Sequence, residues 1–321
     1  PAGLDPEVAA AAMVGEAAAA DSENLVARRA GRRWLRRFEQ CRLPAPLPGE
    51  CPLKPGAVVL ITGGLGGMGL AIARHLAQRC RARFVLTARS DVPPRAAWDD
   101  WLAAHPPEER NAMAIEALRA IEAAGGEVIT FVASAEDRSA MAAAIAAGRA
   151  RWGSIDVVIH AAGIAGTGQL SALKTDADVL SVLAPKAGGL NVLIDLLGQT
   201  PLDAVVLMSS INAVLGAPGV ADYAAANAVL DSFVDSDKVP PAWRRVLAID
   251  WGAWREVGMA ARLDVPAARR EAWRAYLQTA LGTSDGLEAF DRLLASTRRR
   301  MVVVPYDLNQ VLGKSAEAST A

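Results

Sequence analysis

Tyr223 and Asn227 stand four residues apart in VADYAAANAVLDSF (220–233), an alanine-rich stretch with helical patterning. Side chains at that spacing share one helix face. A tyrosine followed by a lysine there would read as the acid and activator of a carbonyl reductase, but the fourth residue is an asparagine. Reducing a ketone requires a hydride at carbon and a proton at oxygen. A tyrosine hydroxyl can give that proton, although its unperturbed pKa of about 10 lies well above neutrality. A cation beside the phenolate brings it closer. Asn227 can line such a site or hold a water, but it carries no charge. Lys186, in the otherwise apolar VLAPKAGGLNVLIDLL (182–197), is the candidate cation. A lysine in such surroundings is costly without a partner; the competing reading is a side chain that snorkels from a helix edge. Ser209 and Ser210 close a strand-like run. Ser210 is suited to donate a hydrogen bond to a substrate carbonyl, an oxyanion-type role, whereas Ser209 reads as an ordinary strand end.

A second stretch with chemistry in it is TGGLGGMG (62–69), which follows an apolar run and opens a helical pattern. Gly64, Gly66 and Gly69 satisfy GxGxxG; Thr62, Gly63, Gly67 and Gly69 satisfy TGxxxGxG, with Leu65 and Met68 between them. Glycines here let backbone amides approach a pyrophosphate at the helix N-terminus. A flexible turn is the competing reading, which the strand–helix setting disfavours. Cofactor choice is read at the end of the next strand, where an NAD enzyme carries an acid for the ribose 2′-hydroxyl. LTARS (86–90) instead places Arg89 and Ser90 there, and a guanidinium fork suits a 2′-phosphate. The expected cofactor is NADPH, with the nearby Asp91 working against that reading.

Positioning these groups calls for a regular scaffold. Apolar runs at 57–61, 84–88, 127–133, 155–163, 203–210, 245–250 and 301–305 alternate with helical periodicity, as at 112–124, 139–151 and 176–197. Continuous apolar runs mark strands buried on both faces. Their alternation with helices predicts an α/β fold: a Rossmann-type doubly wound parallel sheet of about seven strands with helices on both faces. Ligands bind beyond the carboxyl ends of such strands, and every residue named above falls at a strand's C-terminal end or on the helix that follows. Residues 1–55 differ: two helix-like stretches lead to a proline-rich segment, LPAPLPGECPLKPG (43–56), which predicts a domain boundary. A catalytic domain is expected over 56–310 and a linker over 311–321. The opening PAGLDPEVAA lacks an initiator methionine and reads as part of something longer.

Composition narrows the function classes. Hydrophobic residues make up 52% and charged residues 21% of 321, enough for a sizeable core. A net charge of −1 gives no electrostatic footprint for nucleic acid or an anionic membrane. RRAGRRWLRR (28–37) carries six arginines and reads as a solvated helix face or a contact with an acidic neighbour rather than an RNA patch. Three cysteines without metal-ligand spacing argue against a metal site and a disulfide framework, and fit a reducing, cytoplasmic setting. No apolar run in the sequence reads as membrane-spanning, and the start does not read as a signal peptide.

The segments LITGGLGGMGLAIARHLA, VIHAAG, VLAPKAGGLNVL, MSSINAVLGAPGVADYAAANAVLDSF and IDWGAWREVGMA together closely resemble the ketoreductase domains of modular polyketide synthases. These are a branch of the short-chain dehydrogenase/reductases, and the resemblance covers about residues 56–308 in order. In that family the lysine and asparagine exchange the positions they hold in ordinary short-chain reductases, so the resemblance assigns the catalytic set to Ser210, Tyr223, Asn227 and Lys186. It implies further dinucleotide contacts at Ala133, Ser134, Ala161, Ala162 and Gly163, and a mobile lid over 254–281 that includes Trp254, Trp273 and Tyr276. Its substrate would be a β-ketoacyl chain on an acyl carrier protein, with other synthase domains as neighbours and no nucleic acid or membrane partner. LVARRAGRRWLRRFEQ (25–40) resembles the tail of the structural subdomain that precedes the catalytic half. Ser134 stands where the family usually has an aspartate near the adenine. IAGTGQL (164–170) lacks the Leu-Asp-Asp signature of one stereochemical class, and Leu215 is not the tryptophan of the other. Two other readings compete: a catalytically inactive dinucleotide-binding scaffold, which the intact four-residue set disfavours, and a free-standing short-chain dehydrogenase, which the exchanged lysine and asparagine disfavour.

Overall fold

The arginine-rich run expected to be helical is a β-hairpin. The computed structural model describes residues 6–18, 26–47, 51 and 53–312, so parts of the opening, of the proline-rich segment and of the 311–321 linker lie outside the described residues. Two compact units emerge, one from residues before 43 together with those from 306 onward, the other spanning 43–305. In the first, helix α1 (Pro6–Ala17) precedes strands β1 (Val26–Arg29) and β2 (Arg32–Leu35), which pair antiparallel. Ala30 and Gly31 both take positive φ (49° and 74°), the geometry of a two-residue type I′ turn whose twist matches that of the strands. Turn geometry thus overrides the helical propensity of the arginines. Arg28 faces Arg33 across the pair, a repulsive arrangement that the Glu16 carboxylate offsets by accepting from Arg28 Nε (2.7 Å) and Arg33 Nε (2.9 Å). The two guanidiniums, Arg33 foremost, hold Glu16 below the usual carboxylate range.

The second unit is built on strands β3 (Val58–Thr62), β4 (Arg83–Ala88), β5 (Glu127–Val132), β6 (Val157–His160), β7 (Ala204–Ser210), β8 (Val246–Trp251) and β9 (Arg300–Val303). They form one seven-stranded sheet in the order β5-β4-β3-β6-β7-β8-β9, with every neighbouring pair parallel. The expected doubly wound sheet is therefore present. Side chains alternate across it: Val59 and Ile61 enter one core with helices α2 (Gly67–Cys80), α4 (Arg110–Ala123) and α11 (Thr283–Ala295), while Val58 and Leu60 enter the other with α5 (Arg138–Trp152), α7 (Gly189–Leu197) and α9 (Ala221–Val234). Inner strands are buried on both faces as predicted, whereas the edge strands β5 and β9 are only partly so.

Four local findings depart from the sequence reading. The division between the units falls at the start of the proline-rich segment, but the segment packs on the second unit rather than running free: Leu53 is buried in the core and Arg292 Nη1 donates to the Leu43 carbonyl at 2.7 Å. A short helix α3 (Trp98–Ala104) follows the two prolines after β4, anchored by Trp98, whose Nε1 donates to the Pro93 carbonyl (2.8 Å). Trp254 and Leu281, taken as the ends of a lid, are core residues bridged to each other. Trp254 is 2% exposed, with its ring 5.1 Å from that of Trp251. Finally, 176–197 is a continuous 22-residue helical stretch, long and apolar enough to cross a membrane by length and composition. Its components are α6 (Asp176–Leu183), a π-helical turn (Ala184–Gly188) and α7; Leu190, Val192, Leu193 and Leu197 of α7 pack into the core with α5 and α9, whereas Leu180 of α6 is exposed.

Candidate active site

Pro185 has no amide hydrogen to donate, so the helix widens there into the π turn Ala184–Gly188, in which the Gly189 amide reaches back to the Ala184 carbonyl. The widening turns Lys186 inward, where it is 3% exposed. Its Nζ donates to the Met208 carbonyl of β7 at 2.7 Å, one residue before the serine pair. A Cβ on Gly163 would stand 3.0 Å from Lys186 Cε, so the glycine of HAAG makes room for this side chain. Burial lowers the lysine pKa to about 8, and the charge of Asp231 opposes that fall. The ammonium is thus a buried cation rather than one snorkelling from a helix edge.

The Lys186 carbonyl is held too. His160, closing β6, donates from Nε2 to it (3.0 Å) and accepts at Nδ1 from the Thr62 hydroxyl (2.7 Å). Thr62 Oγ1 in turn accepts from the Ala162 amide (3.3 Å). Burial, aided by the charge of Lys186, drops the imidazole pKa to about 4, so it stays neutral and the chain of donors keeps one direction. This line ties the end of β3, the HAAG turn and the lysine together. Sequence reading quoted the histidine without giving it a role; its signal was its place between a strand and the two alanines.

Tyr223 lies in the first turn of α9, and its main-chain amide donates to Asp222 Oδ1 at 2.9 Å. Burial raises the phenol pKa, and the Ser210 hydroxyl and the Asn227 side chain beside it oppose the rise. Structure and expectation differ here. The neighbours that act on the phenol are these two neutral groups, while Lys186 Nζ donates to the Met208 carbonyl. Ser210 Oγ accepts from the Asn212 amide (3.2 Å), which leaves its own hydrogen free to donate. Asn227 is fully buried; its Nδ2 donates to the Tyr223 carbonyl (2.7 Å), and its Oδ1 has no partner among the described residues. Ser209 turns away, its hydroxyl donating to the Asn227 carbonyl at 3.4 Å.

One turn beyond Asn227, Asp231 and Asp250 of β8 are both buried and share Arg300: Nη2 lies 2.9 Å from Asp231 Oδ2 and Nε 3.1 Å from Asp250 Oδ2. Burial first, then the neighbouring Asp250, raise the Asp231 pKa to about 7. These acids sit on different elements and carry no common motif, so nothing in the sequence paired them.

Beside this set opens a cavity of ≈ 530 Å³, within the range of small-molecule sites. Gly63, Leu65, Gly66, Gly67, Met68 and Gly69 form its floor, with Arg89, Ser90, Ala133, Ser134, Ala161, Ala162 and Gly163 on its walls. Thr62 and Gly64 lie behind the floor: a Cβ on Gly64 would stand 2.8 Å from the Ile61 carbonyl, and one on Gly67 2.8 Å from the Gly258 amide. Gly66 caps α2 without a side-chain hydrogen bond, leaving the first helical amides to an anion. This cradle fits a dinucleotide pyrophosphate. Arg110 at the start of α4 lines the same cavity beside Arg89 and Ser90; no sequence pattern had singled it out. Gly258, Met259, Arg262, Leu263 and Asp264 line it from the segment between Trp254 and Leu281.

Comparison with known proteins agrees with this arrangement. The KR domain family matches residues 57–256. A 6-methylsalicylic acid synthase of Aspergillus terreus is 37% identical over 212 residues, covering 66% of this chain and 12% of that protein; the chain thus spans about an eighth of that relative. Among solved structures, A-type ketoreductases from a modular polyketide synthase are 29% identical with a TM-score of 0.72, covering 94% of this chain and 58% of theirs. A ketoreductase domain from the bacillaene assembly line is 25% identical with a TM-score of 0.74, covering 96% and 67%. With its seven-stranded parallel sheet, its glycine cradle and a match over residues 57–256, the chain belongs to the KR domain family, the ketoreductase domains of polyketide synthases.

Proposed function

We propose that this domain reduces the β-keto group of an acyl chain tethered to an acyl carrier protein, using NADPH and giving a β-hydroxyl. The observation that carries the reading is that Ser210 and Asn227 flank the Tyr223 phenol, while Lys186 is buried against Met208, two residues before Ser210, and packs on Gly163 of the cavity wall. The nicotinamide, when bound, supplies the hydride. Ser210 donates a hydrogen bond to the substrate carbonyl oxygen and holds it at the phenol; Tyr223 gives that oxygen its proton. Lys186 places a cation behind the site, where charge developing on oxygen and phenol is stabilised in a low-dielectric setting. Asn227 Oδ1, which has no partner among the described residues, would accept a hydrogen bond from a water that returns a proton to the tyrosine. Residues 258–264 close over the cofactor as the working part of a lid. Relatives that are whole polyketide synthases support the carrier-protein substrate, neighbouring synthase domains and a cytoplasmic setting. The direct test is cofactor consumption with a β-ketoacyl thioester, first on a small thiol carrier and then on an acyl carrier protein: faster turnover on the protein carrier is expected, and no turnover on either contradicts the reading.

The NADPH preference rests on Arg89 and on the adjacent Arg110. Both side chains line the cavity; in this reading each guanidinium donates to a 2′-phosphate, and removing a charge-assisted contact of this kind lowers affinity roughly 10- to 100-fold. Fluorescence titration of Arg89→Gln and Arg110→Gln is expected to show that loss for NADPH and none for NADH. Equal affinity of the unmodified protein for both cofactors would contradict the assignment.

A further inference from the structure

Lys174 and Asp222 form an ion pair whose side chains are 1% and 2% exposed, with Nζ 2.5 Å from Asp222 Oδ1. Such a pair is expensive to desolvate, and apolar residues of similar volume often serve stability as well or better. Its place in the fold suggests what the charges do. Lys174 immediately precedes Thr175, the N-cap of α6. There a reciprocal capping box fixes the backbone: Thr175 Oγ1 accepts from the Asp178 amide (3.2 Å) and Asp178 Oδ2 accepts from the Thr175 amide (2.9 Å). Lys174 is therefore rigidly attached to the helical stretch that carries Lys186. Asp222 immediately precedes Tyr223, and the same Oδ1 that receives Lys174 accepts from the Tyr223 amide (2.9 Å).

Lys174 Nζ makes a second bond, to the Gly219 carbonyl at 3.0 Å, in the turn that leads into α9. Around the pair the loop after β6 and this turn meet backbone to backbone. A Cβ on Gly219 would stand 2.2 Å from the Gly168 carbonyl oxygen, and one on Gly166 3.1 Å from Asp222 Oδ2. Glycines at positive φ (Gly166 76°, Gly168 72°, Gly219 82°) permit the approach. One ammonium thus joins the front of the Lys186 stretch to the front of the Tyr223 helix. We propose that the buried Lys174–Asp222 pair is a positioning clamp that sets the register of Tyr223 against Lys186 and the substrate carbonyl. Lys174 and Asp222 touch no reacting atom; they act through the Tyr223 main chain. The inference rests on Tyr223 being the proton donor.

The test compares two double variants with the unmodified domain. Lys174→Met with Asp222→Leu removes both charges, so neither is stranded in the interior. Lys174→Gln with Asp222→Asn keeps a neutral hydrogen bond across the same gap. Misplacing a catalytic group by about an ångström costs on the order of 100-fold in rate. The Met/Leu variant is therefore expected to lose roughly 10- to 100-fold in kcat, with NADPH affinity by fluorescence unchanged because neither residue lines the dinucleotide cavity. The Gln/Asn variant is expected to recover part of that loss. Retention of kcat within about twofold in Met/Leu would overturn the clamp. So would loss of NADPH binding in step with turnover, which would make the pair a matter of general stability. Should Met/Leu prove insoluble, Lys174→Met with Asp222→Asn, which leaves no bond across the gap, is read by the same criterion. Tyr223→Phe run alongside separates the two ideas: if it keeps full turnover, the acid assignment has failed rather than the clamp.

Discussion

Tyr223→Phe is expected to lower turnover by about 10²–10⁴-fold, the range for loss of a positioned general acid, while leaving NADPH affinity unchanged. The substitution keeps the ring, so the packing of α9 is preserved, and it keeps the main-chain amide that Asp222 accepts. Only the hydroxyl flanked by Ser210 and Asn227 disappears. Because burial raises the phenol pKa, the tyrosine remains protonated and ready to donate across the neutral range. Ser210→Ala should have a smaller effect in the same direction, since it removes a hydrogen bond to the carbonyl but not the proton. Near-normal turnover in the phenylalanine variant would move the acid role elsewhere.

Lys186→Met carries the second large effect and is read from a pH profile. With its pKa lowered to about 8, the ammonium is charged below that pH and neutral above it. Activity that needs the charge is therefore present below pH 8 and lost as pH rises through it. Tyr223 lies above its ordinary value and cannot produce a limb there, so the alkaline limb of kcat/KM in the unmodified protein belongs to the lysine. In the methionine variant that limb should vanish from the region of pH 8 and reappear higher, where the tyrosine ionises. Turnover near neutrality should fall about 10²-fold or more. The buried acids near the lysine make this sharper: Asp231 supports the charge, and its own proton is held near neutrality beside Asp250 and Arg300. An alkaline limb that does not move would remove Lys186 from an electrostatic role.

How much of this was legible beforehand follows from the kind of signal involved. All seven sheet strands were visible because each is a continuous apolar run bounded by turn residues, and the glycine loop was visible because backbone approach leaves few alternatives to glycine. The hairpin at Val26–Leu35 was misread because two short arginine-rich strands have no apolar alternation strong enough to outweigh helix propensity, and the deciding feature is a turn of positive φ. Lys186 was recognisable as an apolar-stretch cation, but the π turn that aims it depends on Pro185 within a long helix. His160, Arg110, the Asp231–Asp250–Arg300 group and the Lys174–Asp222 pair each join residues far apart in sequence. Only topology brings them together, and single-sequence periodicity holds no record of that. The lid over Trp254 came from the family resemblance, which carries no packing information, whereas Gly286 makes room for its indole in the core, where a Cβ would stand 2.5 Å from the ring.

Transfer of label tests the central claim most directly. The unmodified domain is incubated with a β-ketoacyl thioester and NADPH deuterated at the transferable position of the nicotinamide, and the product is analysed by mass spectrometry and NMR. The account predicts a β-hydroxyacyl thioester with one deuterium on the β-carbon, formed by the unmodified domain and strongly diminished in Tyr223→Phe. Binding of NADPH without label in any β-ketoacyl thioester supplied, on a small thiol or on a carrier protein, would contradict it and leave a dinucleotide-binding scaffold in place of a reductase.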